Sequence, residues 1–247
     1  MRKLVGYLGA SAVLLVGWQL LSWAVDSPAL PGPVPALSEF AAVFFPELLP
    51  HLGISLWRVA ASMVLGTVLA VPLGLLIGRS PRLDAVAAPM IFLTYPVPKI
   101  VFLPVLLVLL GLGNASKIAL ITLIVFFQIL VTSRDAARSI PSASVLSVRS
   151  LGAGRLDVAR HVIFPAALPD IFTALRIGSG TAVAVLFVTE SIAGTEGLGY
   201  YIVDSWGRID YSGMFAGILG MALMGVMLYE ALEVLEARMC RWTRVVR

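Results

Sequence analysis

Six stretches of the chain are almost wholly apolar: about 6–25, 55–78, 87–111, 116–133, 172–194 and 213–234. Each comes near or exceeds the roughly 20 residues that carry an α-helix across a hydrocarbon layer about 30 Å thick. The pattern predicts an all-α membrane protein with six transmembrane helices. The first stretch follows Met1-Arg2-Lys3. Its apolar run from Tyr7 to Val25 is too long for a signal-peptide core and meets no small-x-small cleavage site before Asp26, so it is predicted as a retained helix.

The polar connections carry their own patterns. The segment from Asp26 to about Ile54 opens with Pro28, Pro31, Pro33 and Pro35, which favour extended backbone, and Ser38 then reads as the N-cap of a short interfacial helix over 38–45. The segment 195–212 holds Tyr200, Tyr201, Trp206 and Tyr211, which read equally as a membrane-interface belt and as a docking surface for an outside partner. The segment 134–170 is too polar to cross and too regular for a slack loop. Val145, Val148 and Leu151, then Leu156, Val158, Val162 and Ile163, supply apolar positions for two short helices. Gly152 and Gly154 separate them, Asp157 favours the start of the second, and Pro165 and Pro169 are expected to end it. A helix–glycine–helix hairpin results.

Within the spans, Tyr95-Pro96-Val97-Pro98-Lys99 removes two backbone donors and biases Tyr95 and Val97 away from helix. Irregular backbone at membrane depth survives only where it is buried in protein or lines a cavity, and Lys99 needs water or a partner there. Tyr95, Pro96, Pro98 and Lys99 are therefore candidates for a translocation pathway or gate, against a surface kink with Lys99 snorkelling. Glu190 is the other intramembrane charge; it reads as lining a pathway, supporting a gate, or making a structural hydrogen bond among small neighbours.

Charge orients these elements. With the N-terminus inside, the inner segments hold Arg2 and Lys3, Arg79 and Arg82, the six arginines at 134, 138, 149, 155, 160 and 176, and Arg238, Arg241, Arg244 and Arg247: 14 of the 18 basic residues. Both termini are thus expected on the cytoplasmic side of the inner membrane. The hairpin lies there too. The net charge of +4 is explained by this asymmetry, so no nucleic-acid partner is expected. At 59% hydrophobic and 13% charged, the chain is neither an ordinary soluble domain nor disordered. One cysteine (Cys240) and two distant histidines (His51, His161) argue against disulfides and a Cys/His metal site.

The residues Leu146-Ser147-Val148-Arg149-Ser150-Leu151-Gly152, nine residues, then Val162-Ile163-Phe164-Pro165 resemble the EAA loop of ABC-importer permeases, whose pattern is E-A-A, three residues, G, nine residues, I-x-L-P. Gly152, Val162 and Pro165 keep the spacing; Leu146 stands for the acid, Ser147-Val148 for the alanines and Phe164 for the leucine. The Leu30-Pro31-Gly32-Pro33 segment, Ser55 to Arg58, Gly197 to Tyr200 and the text after His161 are similar to the sulfonate/taurine/nitrate/bicarbonate branch. The resemblance implies a bacterial permease of the type I ABC importer fold, a single transmembrane domain over 1–247 with a coupling loop at 134–170. It implies a separate ATPase dimer holding ATP and Mg, an external solute-binding protein, and a second permease copy, most simply a homodimer. Leu146, Arg149, Gly152, Ala153, Leu156, Val162 and Pro165 would meet the ATPase. The solute it implies is a small oxyanion, with a vitamin or thiamine-precursor-like solute as the alternative.

The chain contains no G-x4-G-K-[ST] phosphate loop, so no cofactor of its own is expected and energy comes from elsewhere if transport is active. A membrane enzyme would need a catalytic cluster that the sequence does not offer. A channel or secondary transporter would suit the broken span, but internal repeats are not evident. A plain anchor would have unbroken spans.

Overall fold

The computed structural model describes residues 2–244, with side chains from 9 to 242. Arg247 lies outside the described residues, as do the side chains of Arg2, Lys3 and Arg244, which entered the charge argument. The helices among the described residues are α1 (Arg2–Val25), α2 (Pro33–Val43), α3 (Leu49–Arg79), α4 (Pro81–Thr94), α5 (Leu103–Leu110), α6 (Asn114–Ser139), α7 (Ser142–Ser150), α8 (Arg155–Val158), α9 (Phe164–Ala193), α10 (Leu198–Gly207) and α11 (Tyr211–Met239). Among the described residues four helical runs are long and apolar enough to span a bilayer: Pro33–Arg79, Asn114–Ser139, Arg155–Ala193 and Tyr211–Met239. The pair Pro81–Thr94 and Lys99–Leu110, bent by 80°, makes a fifth, and the apolar helix Gly9–Val25 is a shorter sixth segment.

The chain folds as two compact units, Met1–Ser55 with Glu190–Met224, and Leu56–Thr189 with Gly225–Arg247. In the first unit, α1 is fastened to the proline segment by side chains. Trp18 Nε1 donates to the Pro31 carbonyl at 3.0 Å, and Ser22 Oγ to that of Leu30 at 2.9 Å. Trp18 also stacks on Phe215. The proline-rich opening, expected to be extended, is already helical from Pro33. Pro33 sits in the first turn of α2, where its missing N–H costs nothing. Ser38 is not the cap: it lies inside α2 and its hydroxyl bonds the Pro35 carbonyl at 2.8 Å. A π-type turn over Phe44–Leu48 then joins α2 to α3 just before Pro50.

In the second unit, α3 and α6 meet backbone to backbone. A Cβ on Gly74 would lie 2.7 Å from the Leu130 carbonyl and from Ser133 Cβ, and one on Gly78 would overlap the Arg134 carbonyl. Small residues permit such an approach inside a membrane, where close packing rather than water exclusion holds helices together. The C-terminal ends of α3 and α6 and the start of α4 are clamped by charge. Asp84 receives Arg134 Nε at 2.5 Å and Arg138 at 3.3 Å. Arg79 donates to the Ala137 and Ile140 carbonyls at 3.3 and 3.2 Å, satisfying the end of α6. Gly74→Val is expected to lower stability by about 2 kcal/mol, the usual scale of overpacking. Thermal unfolding of the purified variant in detergent checks this, and an unchanged midpoint would contradict the packing.

Candidate functional site

The α7–α8 hairpin is built by local chemistry. Helix α7 runs to Ser150, and its chain reverses at Gly152, whose φ of +88° is open to glycine at little cost. Gly152 N–H donates to the Arg149 carbonyl at 2.9 Å, and Ala153 N–H to that of Val148. Asp157 caps α8, its carboxylate accepting from Gly154 N–H at 3.0 Å. Val145 and Val158 are buried and anchor the two arms, whereas Leu146, Leu151 and Leu156 are 61%, 86% and 79% exposed. Arg149, Arg155, Arg160 and Gly152 are exposed beside them; Ala153, Val162 and Pro165 are half-buried. Pro165 and Pro169 do not end the second arm. The turn Ala159–Ile163 widens to π geometry, with Phe164 N–H bonding the Ala159 carbonyl, and α9 continues to Ala193. Widening the turn just ahead of Pro165 shifts the carbonyls its ring would strike.

The broken span closes on its own lysine. Pro98 has no N–H to offer the Thr94 carbonyl four residues back. Lys99 Nζ instead bonds the carbonyls of Thr94, Tyr95 and Val97 at 3.1, 3.0 and 3.2 Å. It also lies 4.5 Å from the centre of the Phe127 ring, within cation–π range. Lys99–Phe102 form one tight 3₁₀ turn before α5. A cavity of about 290 Å³ adjoins the break, lined by Tyr95, Val97, Lys99, Phe127 and Gln128 among others. Gln128 donates to Thr181 Oγ1 at 3.2 Å, while its buried Oε1 has no partner. The sequence reading passed over Gln128, although an amide inside Ile-Val-Phe-Phe-Gln-Ile-Leu was visible.

Glu190 is fully buried. Its carboxylate accepts from Ser55 Oγ at 2.9 Å and from Gly199 N–H at 2.9 Å. Ser55 Oγ accepts in turn from Leu198 N–H at 2.8 Å, and His51 Nδ1 from Gly197 N–H at 2.9 Å. His51, Ser55 and Glu190 thus hold the first turn of α10 by its orphan N–H groups. Gly197, at φ +105°, lies against the Glu190 carboxylate so closely that no Cβ fits. Tyr201 in α10 is buried, not a surface aromatic, while Trp206 is 61% exposed. Burial first, then the charges of Glu47, Asp210 and Glu39, push the Tyr201 phenol up to about 12, so it remains a donor to Glu47. Arg58 and Lys117 are also buried, unforeseen from sequence. Arg58 Nε donates to Asn114 Oδ1 at 2.7 Å, and Lys117 Nζ to the Leu112 carbonyl at 2.6 Å.

The profile of the binding-protein-dependent transport system inner membrane component matches residues 70–241. The chain belongs to this family. The taurine transport system permease protein TauC of Escherichia coli strain K12 is 32% identical over 98% of this chain and 90% of its own length. The putative aliphatic sulfonates transport permease protein SsuC of Bacillus subtilis strain 168 is 30% identical over the same shares. In fold, the chain matches a MetNI methionine ABC transporter structure with a TM-score of 0.65 at 20% identity, covering 78% of this chain and 95% of that one. It is thus a multi-pass inner-membrane permease of an ABC importer, a non-catalytic transport subunit with the type I fold. In such systems a separate subunit hydrolyses ATP. Among the described residues, no cluster of three His, Cys, Asp or Glu side chains could hold a metal ion.

Proposed function

We propose that this permease conducts a sulfonate-bearing solute inward, and that the whole of 1–247 acts as one transport domain whose 134–170 segment is driven by a partner ATPase dimer. The observation that carries the coupling role is the exposure of Leu146, Leu151 and Leu156 on a hairpin that is otherwise pinned by Val145, Val158 and the Asp157 cap. Apolar side chains presented together on a rigid element suit a protein partner. Gly152 and Ala153 form the elbow, Arg149 flanks it, and Val162 and Pro165 carry its motion into α9. Both termini and the hairpin lie on the cytoplasmic side, and two copies of the chain enclose one pathway. Closed two-fold symmetry favours such a homodimer.

ATP binding must favour one state of the assembly over the other. Shifting a population from 1:99 to 99:1 takes about 5.5 kcal/mol of differential binding. Tyr95, Pro96, Pro98 and Lys99 shape the conduit, where a break stabilised by a side-chain ammonium can rearrange more readily than a continuous helix. Glu190 supports the gate by fixing the α10 entry. The external binding protein supplies the solute; the named solutes of the relatives, taurine and aliphatic sulfonates, share a tetrahedral anion.

Lys99→Met is expected to cut ATP-driven taurine or alkanesulfonate uptake at least tenfold in membrane vesicles while the chain still inserts, because three carbonyls of the break lose their donor. Wild-type uptake by this variant would remove the break from the pathway. Uptake of a thiamine-precursor-like solute instead of a sulfonate would reassign the solute alone.

A further inference from the structure

A groove of about 770 Å³ opens where α3 ends and α4 begins, closed on its other side by the hairpin. Arg79, Arg82, Arg149 and Arg155 line it, and none of its lining residues is acidic. The nearby acids are engaged elsewhere: Asp84 by Arg134 and Arg138, and Asp157 by the Gly154 N–H. Among the described residues no carboxylate pairs with Arg82, Arg149 or Arg155. Four guanidinium groups around one space repel one another unless an anion joins them. Apart from Ser80 the rest of the lining is apolar, with Leu75, Leu76 and Leu83 from the helix ends and Val145, Val158 and Ile163 from the hairpin.

Its height in the membrane follows from its walls. Arg79 is the last residue of one spanning helix, and Pro81 begins the next apolar pair, so the groove sits where hydrocarbon gives way to headgroups. An occupant at this level should be anionic at one end and apolar at the other.

We propose that this groove binds an anionic phospholipid, its phosphodiester held by Arg82, Arg149 and Arg155 and its first methylenes lying against Leu76 and Leu83. The charge complementarity and the mixed lining carry the assignment; it does not depend on whether the hairpin docks an ATPase. A basic side chain near a membrane surface contributes about a factor of five in affinity for anionic lipid.

The test is lipid retention by the full-length purified permease, read by native mass spectrometry against a titration of phosphatidylglycerol, phosphatidylcholine and inorganic phosphate. The wild type should retain phosphatidylglycerol and not phosphatidylcholine. Arg82→Gln with Arg155→Gln should weaken that retention about 25-fold, while Arg238→Gln with Arg241→Gln, on α11 and just beyond it, should not. Equal occupancy by phosphate alone, or unchanged retention in the first pair, would overturn the proposal. Both double variants should keep the wild-type thermal midpoint in lipid-free detergent, so that a folding defect is not mistaken for lost binding.

Discussion

Gly197→Ala is expected to destabilise the permease by about 3 kcal/mol or more and to abolish most uptake. The backbone at Gly197, φ +105° and ψ 164°, lies in a region essentially reserved for glycine, where a side chain costs about 1–3 kcal/mol. The added methyl would also overlap the Glu190 carboxylate. That carboxylate cannot retreat without losing Ser55 Oγ and the Gly199 N–H, and each buried group left unpaired costs about 1–3 kcal/mol. Glu190→Ala removes the overlap but orphans the same donors, so it should cost about 2–3 kcal/mol by itself. Combined, the two changes should be less damaging than their sum, because the clash exists only when both side chains are present. Thermal unfolding of the single and double variants measures this. Full additivity, or a Gly197→Ala protein with the wild-type midpoint, would refute the account of this corner.

The second large effect is expected at the hairpin. Leu151→Asp with Leu156→Asp should leave folding intact, since both side chains are exposed, yet weaken ATPase binding at least 30-fold, about 2 kcal/mol. Co-purification of the ATPase and its stimulated turnover should fall together. Leu112→Asp, an exposed leucine off the hairpin, serves as the comparison and should retain the ATPase. Loss of the ATPase in that control, or retention in the double variant, would take the docking role away from these two leucines.

Much of this architecture is legible along the chain because its signals are local. An apolar run long enough to span needs no partner to be recognised, and Gly152 and Asp157 announce a turn and a cap within a few residues of where they act. Prolines are harder to read. Pro96 and Pro98 do break their span, bending it by 80°, whereas Pro165 and Pro169 sit in a helix that continues. The difference is the π turn at Ala159–Ile163, whose extra residue per turn has no sequence mark. Ser38 misled for a related reason: Pro33, five residues earlier, had already started α2.

Long-range partners were invisible. Glu190 could be singled out by sequence, but Ser55 lies 135 positions away and His51 is 146 from Gly197, so nothing local showed that the three hold one loop. Lys99 is the reverse case: its partners are its own neighbours, yet which carbonyls Pro98 leaves for it follows only once the break has a shape. Gln128 was overlooked because one amide in an apolar helix is unremarkable until its oxygen is found buried without a partner.

The account rests on work passing from a separate ATPase, through the 142–165 hairpin, to the broken span. Its most direct test reconstitutes the permease in liposomes with the ATPase and the solute-binding protein, and follows labelled taurine or alkanesulfonate. Accumulation against a gradient should require ATP and all three components, and should vanish with Leu151→Asp and Leu156→Asp while those variants still insert. Uptake by the permease alone, or undiminished accumulation with both leucines replaced, would contradict it.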